Sequence, residues 1–134
     1  MPPHLHPDYF ATHFRDAERP EPWPPSFAIL TAYQPTGSTW DQQTNESADA
    51  ELKSYLESQN LPHWRLTGFS PESGHAEPGW AVSIDFLTAC EIGRMFVQDA
   101  IYFVKNGSLY VSLCDPEHRL LNSVGPFWER LSDI

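Results

Sequence analysis

Six polar side chains in this chain have types suited to holding a small polar molecule: Thr31, Tyr33, Asn45, Glu77, Arg94 and Gln98. A carboxylate, a guanidinium, two carboxamides and two hydroxyls, brought together, can orient a ligand through hydrogen bonds. Glu77 and Arg94 carry opposite charge and define the core of such a site. Each polar residue also has a structural use. Arg94 can pair with Glu91 or Glu77, Asn45 can cap a helix, and Gln98 can satisfy backbone groups where a helix meets a strand.

Other chemistries find little support. His4 and His6 form a His-x-His pair, with His13 further on, but no carboxylate or cysteine cluster completes a metal site, so no metal is expected. His63, His75 and His118 are isolated and read as surface or satisfied histidines. Cys90 falls inside an apolar helical stripe. Cys114 stands beside Asp115, which raises a thiol pKa rather than lowering it. The chain has no Gly-x-Ser-x-Gly elbow, no Walker loop and no Gly-x-Gly-x-x-Gly run, so no nucleotide cofactor is expected.

The formal net charge is −10, from 18 acidic and 8 basic side chains. Binding to DNA or RNA is driven by phosphate neutralisation, and no basic run is present, so no nucleic-acid partner is expected. Anionic membrane surfaces are disfavoured for the same reason. No apolar run reaches the length of a membrane span, and Met1–Pro7 lacks the pattern of a secretory signal. Two cysteines without Cys-x-x-Cys spacing suggest a reducing cytoplasm.

The elements that must position the polar residues read as follows. Residues 1–25 form an arm with a stiff linker, Pro20 to Pro25, in which Trp23 folds back onto the domain; over residues 8–17 the spacing fits a helix or a short strand equally. Residues 26–134 form one domain with a C-terminal tail. A first strand, Ser26 to Tyr33, is apolar on both faces and is expected at the centre of a sheet. It ends at a turn, Gln34-Pro35-Thr36-Gly37. A helix follows from about Glu46 to Gln59, capped by Thr44 or Asn45. His63 to Phe69 is a second strand, Pro71 to Gly79 a loop holding Glu77, and Trp80 to Asp85 a third strand. Asp85, or Thr88 with Glu91, caps a second helix running to about Gln98. Lys105-Asn106-Gly107-Ser108 joins two strands, Ala100 to Val104 and Leu109 to Leu113, as a hairpin. Phe127, Trp128 and Leu131 dock as a short helix after Pro126.

This order predicts an α+β fold: an antiparallel sheet with two helices on one face, ferredoxin-like βαββαβ plus an extra C-terminal hairpin strand, with the first and third strands adjacent. Several blocks resemble a bacterial family of unknown function, DUF3293. They are Phe27-Ala28-Ile29-Leu30-Thr31-Ala32-Tyr33-Gln34-Pro35 against a "TAxNP"-like strand end, Asn45 at the first helix, Glu77-Pro78, and Gly93-Arg94-x-Phe96-x-Gln98-Asp99-Ala100 against "GRxFGQNA". Tyr9-x-x-Thr12-x-Phe14 is similar to a Tyr-x-x-Thr-x-Tyr opening. Gln34, Val97 and Asp99 depart from the Asn, Gly and Asn of that pattern. The resemblance implies a fold and a choice of polar residues, and no activity. Two functional expectations follow. One is a non-enzymatic binding or regulatory module, acting as a homodimer or on a protein partner through a sheet edge or face. The other is a small-molecule site around Glu77, Arg94 and Gln98, with Thr31 and Asn45 beside them.

Overall fold

The computed structural model describes residues 5–34 and 39–132. The turn expected at Pro35-Thr36-Gly37, and His4 of the His-x-His pair, lie outside the described residues. Seven strands and two helices follow one another as β1 (His13–Arg15), β2 (Ser26–Leu30), α1 (Gln42–Ser58), β3 (His63–Phe69), β4 (Ala76–Val82), α2 (Phe86–Met95), β5 (Ala100–Lys105), β6 (Ser108–Leu113) and β7 (Asn122–Pro126). A single 3-10 turn, Pro7–Phe10, precedes β1.

All strands belong to one antiparallel sheet in the order β1-β3-β4-β2-β5-β6-β7. The sheet is therefore wider than the four-stranded ferredoxin-like outline with one added strand, because β1 and β7 extend its two ends. β2 is its middle strand, hydrogen-bonded to β4 and β5. That place suits a segment apolar at every position from Phe27 to Leu30, since successive side chains point to opposite faces and both faces are covered.

One face holds Ala28, Leu30, Trp80, Val82, Ile101 and Phe103 against Leu52 and Leu56 of α1 and Ala89, Cys90 and Ile92 of α2. The opposite face gathers Phe27, Ile29, Leu66, Ala81, Val104 and Leu109 with Phe14 and Phe127. The sheet curls around this second cluster until its ends meet. Phe14 of β1 bridges Leu131, beyond β7, through Phe14 N–H to the Arg130 carbonyl and Ser132 N–H to the Phe14 carbonyl, each 2.8 Å. The seam occupies the outer edge of β1, an edge that otherwise exposes unpaired backbone groups.

Several boundaries differ from the sequence expectation. α1 begins at Gln42, not Glu46, because the Asp41 carboxylate accepts the Thr44 N–H at 2.7 Å and caps the helix; Thr44 and Asn45 sit inside it. The same hydrogen bond, with the Thr44 hydroxyl, holds the Asp41 carboxyl below its usual range. Asp85 caps α2 through the Thr88 N–H and hydroxyl, and Thr88 does not cap. β4 begins at Ala76, so Glu77 lies within a strand and not in the loop before it. Pro78 is tolerated there because it lies beyond Trp80–Val82, the part of β4 facing β2. β2 stops at Leu30, short of Thr31 and Tyr33. The tail forms strand β7 and a turn, not a helix, and Phe127 is wholly buried. Trp23 does fold back, its ring centroid 5.2 Å from that of Phe27 and 5.8 Å from that of Phe127. No helix among the described residues is long and apolar enough to cross a membrane.

Candidate functional site

The interior of the curled sheet opens into a cleft of about 380 Å³ at the end where β2 gives way to Thr31. That volume falls in the range of small-molecule sites, about 300–1,000 Å³. Strand alternation explains what lines it. Phe27 and Ile29 face the inner cluster, and the next residue on that face is Thr31, so the wall turns polar as the strand ends. Ala81 of β4 faces the same cluster, which brings Glu77, four residues back, to the mouth. Tyr102 of β5 and Gly68 of β3 complete the strand walls. The N-terminal segment closes the front with Asp8, Tyr9 and Thr12, and Ser70, Ser73 and His75 come from the β3–β4 turn.

Most polar groups around the cleft are already engaged. The Gln98 amide donates to the Tyr33 carbonyl at 2.7 Å and the Phe96 carbonyl at 3.1 Å, while its oxygen accepts the Thr31 hydroxyl at 3.1 Å. Gln98 thereby ties the end of α2 to the end of β2, the backbone role that its position suggested. The Tyr102 hydroxyl donates to the Tyr9 carbonyl at 2.6 Å and holds the N-terminal segment against the sheet. Burial raises the Tyr102 pKa strongly, so this hydroxyl stays a donor. Arg130 braces the same segment from behind, donating to the Phe10 and Thr12 carbonyls at 2.9 and 3.0 Å.

Glu77 is the exception. Its side chain is two-thirds covered, yet Oε2 meets only His75 Nε2 at 3.4 Å, and Oε1 accepts no hydrogen bond from a described residue. Burial raises its carboxyl pKa, and His75 opposes that rise. The carboxylate is thus partly covered, with one oxygen on His75 and the other open to the cleft.

The six residues singled out in the sequence therefore divide. Thr31, Glu77 and Gln98 line the cleft together. Asn45, buried in α1, supports it at one remove: its side-chain oxygen accepts the Gln34 N–H at 2.9 Å and its amide approaches Gln34 Oε1 at 3.4 Å, which fixes the chain after β2. Tyr33 contributes its carbonyl to Gln98; its hydroxyl pKa is raised by partial burial and then by Asp49 and Glu46, acids of α1. Arg94 is not in the cleft. It lines an adjoining groove with Val97, Asp99 and Asp115, and its side chain makes no hydrogen bond or ion pair with a described residue. The expected partners are engaged elsewhere, Glu91 with Arg119 and Glu77 with His75. The reason is helical phase: Ala89, Cys90, Ile92 and Gly93 face the sheet, and Arg94, three residues after Glu91, falls on the exposed side of α2.

Tyr102, His75, Asp8 and Asp99 also line the cleft and were not singled out from the sequence. Tyr102 alone left a trace there, as the one side chain with a polar tip in the apolar strand Ala100–Val104. Among the described residues, no three His, Cys, Asp or Glu side chains gather as a metal ion requires.

Residues 30–101, more than half the chain, match the model of a family described as protein of unknown function, DUF3293. The match spans β2's end through the start of β5, and so includes Thr31, Glu77 and Gln98. Neither a curated protein nor a solved structure matches the chain.

Proposed function

We propose that this chain, which belongs to the DUF3293 family, is a binding module that takes a small polar molecule in the mouth of its curled sheet. One observation carries the reading: Glu77 presents a partly covered carboxylate, one oxygen free of protein donors, in a cleft where Thr31, Gln98 and Tyr102 are tied to the protein. That oxygen is open to the cleft, where a ligand's donor can reach it. Thr31 and Gln98 shape the wall, and the segment from His6 to Thr12 is its front. In this reading β3-β4-β2-β5 with α1 and α2 make a ferredoxin-like unit, widened by β1, β6 and β7. Residues 26–134 act as one domain, to which the described part of the first 25 residues adds β1 and the front of the cleft. The two free, buried thiols suit a cytoplasmic location.

The test is an NMR fragment screen on uniformly labelled protein. Binding in the cleft moves the resonances of Thr31, Gly68, Glu77 and Gln98 together, and Thr31→Val weakens it. Hits that scatter over the surface and ignore Thr31→Val would overturn the reading.

A second reading, self-association or a protein partner, has one observation in its favour. Leu87 and Met95 stand on the outer side of α2, 58% and 55% exposed. Sheet-edge pairing has less support, because the tail already occupies the outer edge of β1. Sedimentation equilibrium of the chain and of a Leu87→Ser/Met95→Ser double variant tests it: self-association lost in the variant supports it, and a monomer in both cases removes the homodimer.

A further inference from the structure

We infer that the molecule bound in this cleft is an organic cation, an amine whose ammonium group meets Glu77 and whose apolar body lies against the aromatic walls. The inference rests on the small-molecule reading above and adds the ligand's charge class to it.

Three observations carry it. First, the ionisable groups lining the cleft are the carboxylates of Asp8, Glu77 and Asp99 and the imidazoles of His6 and His75, with no lysine or arginine among them. An anion would meet no fixed positive charge there. The Arg130 guanidinium donates to the Phe10 and Thr12 carbonyls behind the wall, and that of Arg15 lies over the ring of Phe69, 4.8 Å from its centroid, and pairs with Asp16. Arg94 lies in the adjoining groove, where Asp99 and Asp115 line the same surface.

Second, Glu77 accepts where a ligand must donate. Oε1 has no donor among the described residues and the contact of Oε2 with His75 is long, so the carboxylate is available to N–H groups that enter the cleft. A charged donor suits it best, because hydrogen bonds between ionised groups are about twice as strong as neutral ones. Neighbouring acceptors are spent: the Gln98 oxygen takes the Thr31 hydroxyl, and the Tyr9 carbonyl takes Tyr102.

Third, Tyr9, Phe69 and Tyr102 also line the cleft, and Tyr9 and Tyr102 stand edge to face with ring centroids 6.2 Å apart. Aromatic rings around a carboxylate attract cations through their negative faces and give the carbon body of an amine an apolar surface. The same walls would hold an anion's carbon body too, so the charge selection rests on Glu77, Asp8 and Asp99.

Three probes with one branched carbon body separate charge from shape: 3-methylbutylamine (cation), 3-methylbutanamide (neutral) and 3-methylbutanoate (anion). Each is titrated into the full chain by NMR, following Thr31, Gly68, Glu77 and Gln98. The amine is expected to bind at least about tenfold more tightly than the amide or the acid, and Glu77→Gln to weaken the amine at least about tenfold while leaving the amide little changed. Asp99→Asn, a second variant at a cleft residue shared with the adjoining groove, is expected to weaken the amine less. The class is overturned if the amide or the acid matches the amine, or if Glu77→Gln leaves amine binding intact. If the acid or the amide moves the cleft resonances, the small-molecule site stands and only its charge class falls. If none of the three moves them, the cation class is overturned, and the wider fragment screen decides the site by itself.

Discussion

Val97 is the residue where backbone and side chain disagree most. It follows α2 with φ at +61°, a left-handed conformation that crowds any Cβ and a branched one most of all. The conformation is demanded by the turn. Val97 N–H bonds the Arg94 carbonyl at 3.1 Å and Gln98 N–H bonds the Gly93 carbonyl at 2.8 Å, the two bonds that close a helix in a Schellman turn. Comparing Val97→Gly with Val97→Ala isolates the strain, since both variants remove most of a side chain that is already 59% exposed. A left-handed residue with a Cβ costs about 1–2 kcal/mol. Glycine escapes that and loses about 0.5–1 kcal/mol in extra backbone entropy. The Gly variant is therefore expected to be more stable than the Ala variant by about 1 kcal/mol, the reverse of a helix interior, where Ala wins by a similar amount. Urea unfolding with a shared m-value reads the difference directly, and thermal unfolding should separate the two midpoints by about 3–5 °C. An Ala variant as stable as the Gly variant, at equal m-values, would refute the argument. Because Gln98 comes next and links Thr31 to Tyr33, the same turn sets the cleft wall.

Three more outcomes follow from the geometry. In Gly79→Ala the new Cβ would stand 2.6 Å from the Leu30 carbonyl oxygen and 2.7 Å from Thr31 Cγ2, and a backbone carbonyl cannot swing away; the variant should lose about 1–3 kcal/mol in urea unfolding and shift the Thr31 resonances, and wild-type stability would contradict it. Burial raises the Glu77 carboxyl pKa, so the folded state holds that proton more tightly than the unfolded chain; this contribution is present below the ordinary Glu value of about 4.3 and is lost as pH rises through the raised folded value. Glu77→Gln should accordingly exceed the wild type in stability at neutral pH, with the gap closing as pH falls towards about 4, and a gap that stays constant across that range would count against the burial. Burial pushes the Cys114 thiol up to about 12 and raises Cys90 as well, so an aromatic disulfide reagent at neutral pH should find both thiols slow in the native protein and both fast in urea; rapid native reaction would mean that the α2–β5 contact opens readily.

Features settled within a few residues were legible in the sequence. The hairpin at Asn106-Gly107 is one, with φ of 50° and 83° at the two residues, the left-handed pair that this dipeptide adopts most easily. The Asp85 cap is another, and so is the central position of β2, because a run apolar on both faces needs cover on both. The antiparallel sheet with two helices and the pairing of β2 with β4 follow from such local units joined in order. The cleft could not be read in the same way. Glu77 faces the inner cluster only because β4 pairs with β3 as far back as Ala76, and Arg94 misses the cleft because the packing of α2 on the sheet turns Ala89, Cys90, Ile92 and Gly93 inward and leaves Arg94 outside. The front wall exists because Tyr102 and Arg130 hold the N-terminal segment, and the curl because Phe14 meets Leu131. Caps and turns are decided by atoms a few bonds apart, whereas curl and closure depend on hydrogen bonds between segments some ninety to one hundred and twenty residues apart, and no local pattern encodes where those will meet.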